Sequence, residues 1–130
     1  MSEVVAKEGD RVVGVDTHII LVPSPGGPVP TPMPMPFSGP LQEALATSVF
    51  IDNHAVALEG SVANNLPSHI PLGGPFQAPP SNRATVSQGS STVLVEHKPV
   101  ARANDPAKCC NDPADSDTGH IVAVGTVSAG

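Results

Sequence analysis

Tryptophan and tyrosine are absent from this 130-residue chain, and Phe37, Phe50 and Phe76 are its only large rings. Val and Ala supply most of the apolar content, and each buries little area, so the hydrophobic gain open to a core is small. Basic residues are scarce as well. Six Lys and Arg face twelve Asp and Glu, a formal net charge of −6, and no basic stripe exists to hold nucleic acid. No stretch approaches the roughly 18 apolar residues of a membrane helix. The first ten residues carry Glu3 and Glu8 and no apolar run, so no signal peptide is expected and the starting compartment is the cytoplasm. Cysteine is limited to the adjacent pair Cys109 and Cys110. A reducing compartment disfavours disulfides, and neighbouring cysteines bridge only through a strained ring, which leaves a thiolate ligand as the better role for one of them. No Gly-x-Ser-x-Gly, phosphate loop or dinucleotide fingerprint is present, and no enzymatic activity is expected.

Proline and glycine are what the chain has in excess, 16 and 12 residues. That fraction resists helix and interrupts strands. Against disorder stand the modest net charge and the clustering of Val, Ile and Leu in short runs. A thin core in a small folded domain calls for a metal, a disulfide or a partner subunit.

A hairpin-like segment is written twice. Residues 48–61 align without gaps on residues 92–105 at an offset of 44, with Val49, Val56 and Ala57 matched by Val93, Val100 and Ala101. A lone hairpin cannot bury its apolar face, so such a repeat implies units stacked or rotated against one another. Strands are expected at 18–22, 49–51, 55–58, 84–88, 92–95, 99–103 and 120–124, and a helical turn over 41–47. Residues 125–127 resemble the start of a third unit cut short. Residues 1–8 are expected to form a flexible N-terminus ahead of one domain. Eight prolines within 23–40 favour an extended polyproline loop, with Met33, Met35 and Phe37 set to pack against something. Two further loops span 62–82 and 104–119. Loops of that length are reasonable only if they meet and are tied together.

The loops carry the donors for such a tie. His18 lies near the first loop, His69 is in the second, Cys109 and Cys110 are in the third, and His120 closes the third. A structural zinc site takes four thiolate and imidazole ligands, and one from each loop would convert binding energy into folding energy. His54 and His97 fall in hairpin turns and are expected to be exposed. Cys109 is also readable as a small buried apolar residue. A catalytic zinc would need an open position and a general base, and no Glu neighbours a candidate ligand.

The segment Gly89-Ser90-Ser91-Thr92-Val93, followed by Lys98-Pro99-Val100-Ala101-Arg102 and Asp105, resembles the repeat of PAAR and PAAR-like proteins. Asp16-Thr17-His18, Pro36-Phe37-Ser38-Gly39, Pro67-Ser68-His69-Ile70-Pro71, Cys110-Asn111-Asp112-Pro113 and Gly125-Thr126-Val127 extend the resemblance, in order, from about residue 9 to the end. The resemblance implies an all-β, pseudo-threefold cone of short strands and hairpins whose long loops converge on a structural Zn2+. It also implies a tip on the trimeric VgrG-like spike hub of a type VI secretion or related contractile apparatus. One tip would sit on each trimer, assembled in a bacterial cytoplasm, delivered outside the cell and touching a target membrane transiently. An adaptor that attaches effectors to the spike is the alternative. Matching motifs carry over His18, His69 and Cys110 as ligands. Related sequences have a histidine where Met35 stands; His120 is the favoured replacement, and the alternative is that Met35 packs against a site with a different fourth ligand.

Overall fold

The computed structural model describes residues 2–130, and every regular element among them is a strand. In chain order these are β1 (Glu3–Val4), β2 (Arg11–Val22), β3 (Val29–Glu43), β4 (Phe50–Ile51), β5 (His54–Ala55), β6 (Val62–Asn64), β7 (Arg83–Val86), β8 (Leu94–Val95), β9 (Lys98–Pro99), β10 (Pro106–Cys109), β11 (Ser116–Val122) and β12 (Ser128–Ala129). Six of them close an antiparallel barrel in the order β10-β11-β2-β3-β6-β7. Closure leaves that sheet without exposed edges, which suits a chain with little apolar area to cover them.

The two repeated hairpins form as their turns dictate. Asp52 and Asn53 in one, and Glu96 and His97 in the other, have positive φ, the conformation of a two-residue turn matched to strand twist. The third unit is complete, assembled from the two chain ends: β12 pairs with β1. Val5 donates to the Val127 carbonyl (2.8 Å) as Val56 does to Val49 (3.1 Å) and Val100 to Val93 (3.1 Å). Residues 3–8 are therefore not a loose tail. Glu8 and Ala6 hydrogen-bond to Ala55 and Ala101, and Lys7 bridges to Val56. Met1 lies outside the described residues.

The three units meet on a common axis. Ala6 donates its amide to the Ala101 carbonyl, Ala101 to Ala57, and Ala57 to Ala6, each at 2.9 Å. All three side chains are fully buried in the barrel core with Val12, Phe37, Leu41, Val86 and Ile121. Only a methyl group fits where three backbones come this close. Past the axis, the chain turns at Gly9, Gly60 and Asn104, all at positive φ, whose amides bond the carbonyls of Leu41, Val86 and Ile121.

The proline-rich segment is a strand, not a polyproline loop. β3 pairs with β2 through an unbroken register from Arg11↔Pro40 to Val22↔Val29. An antiparallel ladder exchanges hydrogen bonds only at alternate pairs, so prolines at every second position can all avoid donating to it. Ser38, at the same parity, turns its own amide and carbonyl away from β2, to Asn65 and Leu66. Pro30, Pro32, Pro34 and Pro36 consequently face outward, while Met35, Phe37 and Leu41 face inward. The helical turn expected over 41–47 is not formed, because Leu41 to Glu43 complete β3 and pair with β6.

Beyond Gly14, β2 leaves its neighbour β11, and the β2–β3 arm projects from the barrel. The other two long loops close on this arm. Residues 75–77 pair along β2 through Leu21, Ile19 and the Ile20–Phe76 bridge, and Asn111 and Asp112 bond Thr17 and Ile19. All three loops join the barrel strands at the end opposite the short hairpins.

Candidate metal centre

Side chains alternate along a strand, so Asp16, His18 and Ile20 share the inner face of β2. All three are buried, Asp16 completely. The β6–β7 loop brings His69 to the same place. Asn82 anchors that loop by accepting the His69 amide (2.8 Å), and the Asn65 amide nitrogen lies 3.2 Å from His69 Nδ1. Cys110 follows β10, its amide bonded to the Arg83 carbonyl and its side chain buried. Strand β2 and two loops thus deliver four donors whose ligand atoms all lie within 4.8 Å of one another.

The four side chains already contact one another through hydrogen bonds. Asp16 Oδ2 stands 2.7 Å from His69 Nε2 and 3.3 Å from Cys110 Sγ, and His18 Nε2 is 3.6 Å from that sulfur. Tetrahedral bonds of about 2.0–2.3 Å require donor separations of about 3.3–3.8 Å, so small side-chain rotations suffice to close on one ion. The rings of His18 and His69 lie 5.0 Å apart, with Phe37 edge-on to His69 and Phe76 to His18. Those aromatic walls keep water out and raise the cost of any unpaired charge.

Electrostatics make the cluster uncomfortable without a cation. Burial, followed by the Asp16 charge, pushes the Cys110 thiol up to about 11, and the same two causes push Cys109 to about 12. Asp16 Oδ1 and His18 Nδ1 are buried without hydrogen-bond partners. Orphaned polar atoms of this kind are rare in folded proteins and carry a desolvation cost. A divalent ion would offset part of this cost: it would stabilise the thiolate and balance two negative ligands with two positive charges.

His18, His69 and Cys110 are brought together, but His120 is not among them. Gly119 and Ile121 face the core, so strand alternation turns His120 outward on β11, where it pairs with Val13 and Pro106. Asp16 stands in its place. Its signal was available, because an acidic residue two positions from His18 on a strand must share its face. Met35 lies directly opposite Asp16 across the β2–β3 ladder and is itself buried. Cys109 points the other way, into the core. Both His54 and His97 are exposed, but only His97 lies in a hairpin turn; His54 opens strand β5, just past the turn at Asp52-Asn53.

Comparison with family models, curated proteins and solved structures finds no match.

Proposed function

We propose that this chain is a PAAR-like spike tip that caps a trimeric VgrG-like hub of a contractile injection system, with a structural zinc fastening its point. The observation that carries this reading is the threefold character of the short-hairpin end. Val49, Val93 and Val127 occupy equivalent positions and are exposed to nearly the same extent, 38%, 37% and 43%. They rim a shallow apolar depression of about 190 Å³ floored by Val5, Val56 and Val100. A surface repeated three times in one chain is matched by a partner with three copies of one surface. The opposite end has the four donors, two on β2 and one from each of the β6–β7 and β10–β11 loops, so one ion there would cross-link the β2–β3 arm to both loops where the barrel core has ended.

Zinc suits a mixed imidazole, thiolate and carboxylate set, and four protein ligands close a tetrahedron in the manner of a structural site. The role is mechanical: a rigid point driven outward by sheath contraction, loaded in the cytoplasm and spent outside the cell. No catalytic step is assigned to it.

Mixing the chain with a trimeric hub and weighing the complex tests the reading. One chain per trimer is expected, weakened by Val93→Asp or Val49→Asp. Three chains per trimer, or no complex with a well-folded chain, would sink it. The effector-adaptor reading has one observation of its own, a groove of about 330 Å³ beside His69 with Leu66, Ile70 and Leu72 exposed along it. Tight effector binding by a chain that ignores the hub would favour that alternative.

A further inference from the structure

Asp112 touches none of the bonds that tie Cys110 to the cluster, yet it sits against the far side of His18. Its Oδ2 accepts the Ile19 amide at 2.9 Å and stands 3.5 Å from His18 Nδ1. That nitrogen is buried and has no hydrogen-bond partner, since 3.5 Å is longer than a made bond. The other ring nitrogen, Nε2, faces Cys110 Sγ. The imidazole therefore lies between a thiol and a carboxylate, one on each nitrogen. Asp112 is also fixed from behind, because its own amide bonds the Thr17 carbonyl at 2.8 Å and Asn111 Oδ1 takes the Thr17 amide at 2.7 Å.

We infer that Asp112 is a positioning residue for the metal centre: it accepts a hydrogen bond from the His18 Nδ1–H, which holds the proton on Nδ1 and leaves Nε2 for the ion. This rests on the metal reading above. The physical ground is that a neutral imidazole carries one proton, and a cation at Nε2 forces that proton onto Nδ1. A buried N–H needs an acceptor, and Asp112 Oδ2 is already in front of it. Carboxylate–histidine–metal arrangements of this kind raise ligand basicity and hold ring orientation, and losing the outer carboxylate typically costs 10–100-fold in metal affinity. The short segment Cys110-Asn111-Asp112 then does three things at once. It supplies a ligand, clamps the free edge of β2, and aims the ligand that β2 carries.

Zinc affinity measured by competition with a chromophoric chelator tests this on the whole chain, with Asp112→Ala, Asp112→Asn and Asn111→Ala. Asn111→Ala removes the Thr17 bond by which the same loop holds β2, with the bonds to the Cys109 carbonyl and Thr118, but keeps the Asp112 carboxylate, so it reports the loop-anchoring share of any loss. Asp112→Ala is expected to weaken zinc by about 10–100-fold, with Asp112→Asn and Asn111→Ala each weakening it by less. In the zinc-loaded wild type, long-range proton–nitrogen NMR should place the His18 proton on Nδ1, with its resonance shifted in Asp112→Asn. Wild-type affinity in Asp112→Ala, an equal loss in Asn111→Ala, or a His18 proton on Nε2 would overturn the assignment. A wild-type chain that takes up no zinc sinks the centre itself, and the positioning role with it.

Discussion

Asp16 and His69 are 53 residues apart in the chain and meet at 2.7 Å, carboxylate oxygen to ring nitrogen, beneath 3% side-chain exposure. A histidine carried by a long loop is held against a strand of a different unit by this contact. The same two atoms are donors to the candidate ion. What looks like a buried polar pair is therefore also half of a metal site, and the two roles make different demands on Asp16.

Ligand identity is the first prediction. Elemental analysis of the purified chain should give about one zinc per molecule. Cys110→Ala and Asp16→Ala should each abolish stoichiometric zinc, whereas His120→Ala should retain it, because His120 points outward from β11. Zinc lost with His120→Ala and kept with Asp16→Ala would reverse the ligand set.

The raised Cys110 thiol sets opposite pH trends for the free and loaded protein. Its value moves from 9.0 to about 11 on folding, mainly by burial and then by the Asp16 charge. A raised acid holds its proton longer in the folded state. The stability of the metal-free chain is then full below pH 9 and falls as pH climbs toward 11. Metal uptake must expel that proton, so zinc affinity should rise about tenfold per pH unit in the neutral range. Denaturant melts of the chelator-treated chain and competition titrations at several pH values check the two slopes. A flat affinity profile would mean that no thiol proton is displaced.

Glu96 gives a pH effect with the other sign, far from the metal. Its Oε2 accepts the amides of Thr47 and Ser48, each at 2.8 Å, and the Ser48 hydroxyl at 2.6 Å, tying the second hairpin to the entry of the first. The Ser48 hydroxyl, then its amide, hold the carboxyl below its ordinary 4.5. A depressed acid contributes above its ordinary value and loses that contribution as pH falls through the folded one. Amide exchange at Thr47 and Ser48 should accelerate in Glu96→Ala, and in the wild type as acid protonates Glu96. Unchanged exchange in the variant would show that the latch is not closed in solution.

Backbone crowding predicts where the fold tolerates least. A Cβ added at Gly39 would run into the carbonyl of Asn64 where β3 crosses toward β6, and neither main chain can yield. Gly39→Ala should cost about 2–3 kcal/mol, the scale of overpacking in a tight site. Gly26, in the open turn of the β2–β3 arm, has no atom within 4 Å of such a Cβ. Gly26→Ala should be silent within about 0.5 kcal/mol in chemical denaturation. Equal effects at the two sites would mean that the arm and barrel do not meet as described.

Much of this was legible in the chain. The two hairpins, the all-β class and three of the four clustered donors follow from apolar pattern and from which residue types bind metals. Two of the hidden features share one cause, the period of two. Read by composition, prolines at 30, 32, 34 and 36 mean a loop; read by parity, they line the outer face of a strand and leave every donating position free. The same parity puts Asp16 beside His18 and turns His120 away from it. The third unit was hidden differently. Val5-Ala6 and Glu8-Gly9 repeat Val56-Ala57 and Glu59-Gly60, but the strand that completes the unit, β12, lies at the other end of the chain. No window sliding along a linear sequence sees that pairing.

The split unit gives the sharpest test of the architecture. If residues 2–8 were a dispensable tail, removing them would change nothing measurable. In the structure they supply Val5 and Ala6 to the core, one of the three amides that close the alanine ring, and the strand that pairs with β12. Deleting them strips Ala57 of its acceptor and Ala101 of the amide that bonds its carbonyl, and leaves the carbonyl of Val127 unpaired. Lost burial of Val5 and the cavity beside it should together cost about 3 kcal/mol or more, a large share of the 5–15 kcal/mol typical of a domain. Thermal denaturation should show a lower and broader transition for the deleted chain. Adding back a peptide with the sequence of residues 1–10 should restore part of the loss, since the missing strand docks through backbone groups that remain in place. Ala6→Leu in the full chain should destabilise as well, by crowding the axis and not by vacating it. A deleted chain that melts like the intact one would contradict the threefold axis and, with it, the proposed docking on a trimeric hub.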